Sequence, residues 1–196
     1  MPSKAERCWW CGSDSVYVDY HDTEWGVPVT DDRALFEKLV LDGFQAGLSW
    51  ITILRKRAAF QRAFRGFDPH KVARFTERDV QRLLGDEGIV RSRLKIEGAV
   101  RNARAWLEVM EAGEGAFRDL VWEPVGHRTV DTRLARREDI RAQSEESVRL
   151  AKTLKRAGFT FCGPVIVYAF MQAVGVFNDH LVTCPRHKAC ARLARK

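Results

Sequence analysis

The chain has 196 residues, of which 45% are hydrophobic and 30% charged, a composition that excludes disordered and collagen-like classes and allows one sizeable core or two small lobes. No stretch approaches the about 18 apolar residues of a membrane span, and the first residues, MPSKAERCWWCG, lack a signal-peptide core, so a cytoplasmic protein with no membrane attachment is expected. The net charge of +7, with 33 Lys and Arg against 26 Asp and Glu, suits a polyanionic partner such as nucleic acid.

In chain order the dominant period is helical and strand alternation is scarce. Asp31 and Asp32 form an acidic cap run before Leu35, Phe36, Leu39 and Val40, which recur at helix spacing, and Phe60 and Phe64 continue an apolar stripe. Asp68 before Pro69 predicts a helix start, with an N-cap side chain and proline at the first helical position. Thr76 through Asp79 has the form of a capping box ahead of Val80, Leu83 and Leu84. A longer helix is expected over about 90–110, ended by Gly113 and Gly115, and 123–128, with Pro124 and Gly126, is a connector. Residues 144–157 predict a further helix closed by Gly158, and 185–196 a basic C-terminal tail.

Zinc-ligand residue types stand at both ends: Cys8, Cys11 and His21 near the start, His180, Cys184 and His187 near the finish. Five cysteines, an odd number, point to reduced thiols and metal rather than a disulfide framework. Four protein ligands would leave zinc no open position, making the site a structural clasp between the termini. Spacing alone allows Cys8 and Cys11 with Cys184 and His187, or Cys8, His21, His180 and Cys184. Pro185 pushes Cys184 toward extended geometry, at or beyond a helix end.

The segment LKRAGFTFCGPVIVYAFMQAVG predicts a cationic helix end, a hairpin bounded by Gly158 and Gly163, and an apolar helix starting near Pro164. The free N–H groups of that second helix make a phosphate site that binds backbone without reading sequence. Tyr17, Tyr20, Trp25 and Trp50 lie in or beside polar, glycine-containing stretches, where flat side chains suit stacking on a base taken out of its helix.

ERCWW, YHDTEWGVP, QAGLSWITILRKR, GIVRSRLKIEGAVRNARA, GFTFCGP and YAFMQAVGVFNDH, in this order, resemble the type I 3-methyladenine DNA glycosylases of bacteria. The resemblance runs from about Arg7 to Cys184. It implies an all-α, helix-hairpin-helix DNA glycosylase fold in a single domain, with two helical lobes around a cleft and a structural zinc joining the termini. The implied zinc ligands are Cys8, His21, His180 and Cys184, with Cys11 and His187 as bystanders. The implied activity is excision of 3-methyladenine from alkylated double-stranded DNA by a monomer, leaving an abasic site. By the same resemblance Trp50 stacks on the base, Tyr20 and Trp25 line its pocket with Tyr17 as a further wall, and Asp42 accepts hydrogen bonds from the base edge. Gly47 and Leu48 enter the gap left by the flipped nucleotide, while Gly158 and Gly163 mark the hairpin that grips phosphate.

Two positions depart from the family pattern. Asp42 stands where glutamate is usual, one methylene shorter, and Phe44 replaces a glutamine common two positions later, so Phe44 too is placed in the base pocket and both positions bear on base preference. Asp179, where relatives in the wider superfamily carry a catalytic acid, is expected to orient the adjacent metal ligand or cap a helix. No lysine lies between Gly158 and Asp179 to form a Schiff base, which predicts a monofunctional enzyme without strand cleavage. A glycosylase for another modified base and a non-catalytic damage sensor are the competing expectations.

Overall fold

Short acidic and hydroxyl side chains set the helix starts. Asp14 accepts from the Val16 and Tyr17 amides ahead of α1 (Ser15–Thr23), and Asp31 from that of Ala34 ahead of α2 (Asp32–Gln45). Asp68 accepts from His70 N–H at α4 (Pro69–Val72), and the Thr76–Asp79 capping box opens α5 (Glu77–Leu84). Each such cap satisfies backbone donors that have no partner inside the helix. Ser144 does the same for Ser147 at α8 (Glu145–Arg156). The remaining helices are α3 (Trp50–Ala63), α6 (Arg93–Met110), α7 (Ala116–Trp122), α9 (Pro164–Ala173) and α10 (Pro185–Leu193).

The structure, a computed structural model, describes residues 7–194. Among these the sole paired strands are β1 (Val130–Asp131) and β2 (Phe177–Asn178), a two-residue parallel bridge, so the all-α expectation holds. Two boundaries differ from expectation. The long helix begins at Arg93 rather than near Val90, because Ser92 is extended and serves as its N-cap. The basic C-terminal segment is not a tail over 185–193 but α10, with Cys184 as its extended N-cap, Pro185 in its first turn, and His187 and Cys190 buried. Residues 195–196 of the expected tail lie outside the described residues.

The centre of the molecule is α2, which packs against α3, α6, α7 and α9. From Leu39 to Phe44 every residue of it is buried. A helix buried on all sides offers no solvent to a charged side chain. Asp42, only 2% exposed, is therefore a costly residue to place there, and its surroundings explain it.

Candidate active site and metal centre

The chain ends meet at four buried side chains. Cys8, His21, His180 and Cys184 each direct one ligand atom to a common point, all within 4.8 Å of one another. Zinc-type bond lengths of about 2.0–2.3 Å in a tetrahedron give sulfur–nitrogen edges of about 3.6 Å. The observed edges are 3.6 Å for Cys8 Sγ to His180 Nδ1, 3.6 Å for Cys184 Sγ to His21 Nε2 and 3.7 Å for Cys184 Sγ to His180 Nδ1. The donor set and its dimensions fit a metal ion. Of the two ligand sets that spacing allowed, this one is assembled. Cys11 Sγ instead donates to the Cys8 carbonyl, and His187 Nε2 lies 2.8 Å from Asp131 Oδ1.

Both ligand histidines are oriented through their second nitrogen. His21 Nδ1 is 2.7 Å from Asp22 Oδ1, and Arg7 holds that carboxylate at 2.8 Å, while His180 Nε2 lies 3.0 Å from the Trp25 carbonyl. Such contacts fix ring orientation. The Cys8 thiol and the two imidazoles hold Cys184 toward thiolate, and Cys8 in turn is pushed up by sharing that proton and by burial. Asp179 plays no part in orienting His180. It is 1% exposed and accepts from Thr132, from the Tyr168 hydroxyl at 2.7 Å and from Gln172 at 2.6 Å.

Beside this centre lies a cavity of about 260 Å³, at the small end for a ligand pocket. Tyr17, Tyr20, Trp25 and Trp50 line it together with Asp42. Asp42 is the one carboxylate of that lining. Its Oδ1 accepts from Lys38 Nζ at 2.5 Å, but its Oδ2 is buried without a partner. Burial pushes the Asp42 carboxyl up and the Lys38 ammonium down, and their mutual attraction opposes both shifts. Burial, then the charge of Asp42, also keeps the Tyr20 phenol protonated.

Phe44 is not part of the cavity. It is 1% exposed and packs on Phe60 and Phe64, with ring centroids 4.8 and 5.6 Å away. The reason is helix geometry: residues two apart point to opposite sides, whereas residues four apart share a face. The same rule places Lys38, one turn before Asp42, in the lining, although the motifs do not single it out. Trp10 is another such residue. Its ring lies 4.9 Å from Trp25, 5.0 Å from Tyr17 and 5.3 Å from His21, bridging cavity and metal centre. Its nearness to Cys8 was the available signal, since a residue two positions from a metal ligand is held at the same place.

The hairpin follows α8, where Gly158 takes φ +90°, and ends at Gly163, the N-cap of α9. Asn102 of α6 clamps it, donating to the Thr160 carbonyl at 3.0 Å and accepting from the Thr160 amide at 2.7 Å. Phe161 packs so closely on Gly98 that a Cβ there would lie 2.6 Å from its ring, and it also touches the position of Gly43, next to Asp42. Lys152 and Lys155 line the groove along the hairpin with Thr160, Gly163 and Pro164. Ammonium groups beside the first amides of a helix suit phosphate. Gly47 and Leu48 form the link from α2 to α3, where Leu48 is 41% exposed.

Residues 10–187 match the family model for methyladenine glycosylase. The chain is 49% identical to DNA-3-methyladenine glycosylase 1 of Escherichia coli (strain K12) over 179 residues, 91% of this chain and 95% of that protein. It superposes on a crystal structure of 3-methyladenine DNA glycosylase I with TM-score 0.90 and 48% identity, covering 92% of this chain and 98% of the other. A single-substitution variant of 3-methyladenine DNA glycosylase I in complex with 3-methyladenine gives TM-score 0.87 and 39% identity, covering 91% and 95%.

Proposed function

The chain belongs to the methyladenine glycosylase family, and from that premise we propose how its residues divide the work of removing 3-methyladenine from alkylated DNA. The enzyme is an N-glycosyl hydrolase that leaves an abasic site. The observation that carries the site assignment is the unpartnered Asp42 Oδ2 at a cavity whose walls include Trp10, Tyr17, Tyr20, Trp25 and Trp50. N3-methylation makes the base a cation and a good leaving group, so little acid catalysis is required. A buried carboxylate favours that cation and accepts from its exocyclic amino group. Trp50 supplies the stacking face, and Tyr20 and Trp25 close the walls around a base flipped out of its duplex, a step that is cheaper for a lesion than for a sound pair.

Lys152, Lys155 and the first amides of α9, framed by Gly158 and Gly163, hold the phosphate backbone, while Gly47 and Leu48 fill the gap the base leaves. No lysine of the hairpin is available for a Schiff base, which supports a monofunctional reaction. Zinc is the ion proposed for the Cys₂His₂ centre. With four protein ligands it would act structurally, and no chemistry passes through it. The protein is proposed to act as a monomer, and no helix among the described residues is long and apolar enough to cross a membrane.

Chromatography of bases released from methylated duplex DNA tests the assignment. Wild-type protein should release 3-methyladenine. Trp50→Ala should lower the rate by about 10–100-fold, the worth of one base–aromatic stack. Asp42→Asn should lower it by a similar factor, the worth of a hydrogen bond to a charged group, while binding to abasic DNA is retained. Unchanged excision by Asp42→Asn would remove the carboxylate from the mechanism.

A further inference from the structure

We infer that Lys38 is a tethered stand-in for the cationic base: its ammonium holds, on Trp50 and Asp42, the two contacts a flipped 3-methylated purine needs, and the base binds by displacing it. This role rests on the base-excision function proposed above. Lys38 Nζ lies 3.9 Å from the centroid of the Trp50 ring and 2.5 Å from Asp42 Oδ1. A cation over an indole face and beside a carboxylate is favourable on both counts. A positively charged, flat base would use the same indole and the same carboxylate. At 3.9 Å from the ring the ammonium fills the layer that a stacked base occupies. The two cannot share that face.

The lysine also has somewhere to go. Its side chain lines a second cavity of about 290 Å³ together with Glu24, Glu37, Arg57 and Gln61. Glu24 already pairs with Arg57 at 2.5 Å and Glu37 accepts from Gln61 at 2.8 Å, so a second cation would join an existing polar network. A four-carbon stem with free rotors can swing there without moving α2. Burial lowers the affinity of the ammonium for its proton, and the Asp42 carboxylate opposes that shift. Exchange of one cation for another keeps Asp42 compensated throughout. A neutral purine brings no replacement charge, and displacing Lys38 would leave a buried carboxylate unpaired. Selection for the charged lesion over undamaged adenine follows from that difference.

The direct test uses wild-type protein. The ε-methylene protons of Lys38, assigned in lysine-labelled enzyme by their absence in Lys38→Arg, should be shifted upfield by the Trp50 ring current and return to ordinary positions on saturation with free 3-methyladenine. Protons that stay ring-shifted in the saturated complex would overturn displacement, placing the base on another surface. Binding of 3-methyladenine, followed by quenching of tryptophan fluorescence, is the second arm. Lys38→Met should bind about tenfold more tightly, the worth of a cation–π contact no longer to be broken, and Lys38→Arg, which restores the cation, should bind like wild type. Weaker binding by Lys38→Met would instead make the ammonium a direct donor to the base, and equal binding would make it a bystander. Failure of wild-type protein to release 3-methyladenine from methylated DNA would overturn the functional premise itself. Release with no tightening in Lys38→Met removes the lysine's role alone.

Discussion

Gly175 contains no reactive atom, yet the position of Trp25 depends on it. It follows α9 with φ +73°, and a Cβ there would lie 2.5 Å from Pro28 N and 2.6 Å from the Val27 carbonyl carbon. Those neighbours are backbone and cannot rotate away. The 26–29 segment they belong to is hydrogen-bonded to the end of α9, from Gly26 N–H to the Ala173 carbonyl at 3.3 Å and from Val29 N–H to the Val174 carbonyl at 3.0 Å. Gly175→Ala should therefore cost about 2–4 kcal/mol, combining left-handed backbone strain with overpacking. Urea denaturation measures this, and a loss below about 0.5 kcal/mol, the scale of an ordinary surface change, would contradict the close approach. The Trp25 wall should shift with the loop, so base release should fall further than stability alone accounts for.

At the scale of elements, Asn102 joins α6 to the hairpin proposed to hold DNA. It is 3% exposed and meets both the amide and the carbonyl of Thr160. Asn102→Ala would leave two part-buried backbone groups of Thr160 without their partner, at up to about 1–3 kcal/mol each. Amide exchange at Thr160 should accelerate, and affinity for duplex DNA should weaken with no change in the salt slope, since no phosphate-binding cation is removed. An unchanged exchange rate would show that Phe161 packing alone holds the loop. Helix starts such as Asp31, Asp68 and Thr76 were legible in the sequence because a cap is satisfied by amides two or three residues away. The hairpin was legible for the same reason, as a local pattern of glycines and proline. The clamp was not, because Asn102 and Thr160 are 58 residues apart. Residue roles divide likewise. Tyr20, Trp25, Asp42 and Trp50, drawn from separate motifs, gather at one cavity. Motif position alone puts Phe44 beside the base and leaves Lys38 out, whereas helix phase sets the faces of residues 38, 42 and 44.

For the whole molecule, the candidate metal centre joins segments from the two ends of the chain. Cys8 and His180 are 172 residues apart, and a cross-link closing a loop of that length stabilises by about 5 kcal/mol in the chain-entropy model. In a domain of this size each kcal/mol moves the melting temperature by about 2–4 °C, so removal of the ion should lower it by about 10–20 °C. The experiment is calorimetry on reduced protein before and after exhaustive chelation, with metal content measured on the same samples. Cys184→Ala should reproduce the chelated melting point and be insensitive to chelator. Cys11→Ala should keep both metal and melting point, because Cys11 Sγ contacts only backbone carbonyls. The same treatment should reach the active site. Trp10 and Trp25 stand against His21 and His180, with ring centroids 5.3 Å and 4.6 Å apart, so two of the aromatic walls are seated on the metal centre. Below the lowered melting point, chelated enzyme should bind free 3-methyladenine more weakly, and readdition of one equivalent of zinc should restore it. A chelated protein that has lost its metal but melts as before would mean that the hydrogen bonds of residues 25–29 to His180 and the end of α9 hold the termini, and that the four ligands are a passenger on those contacts rather than their cause.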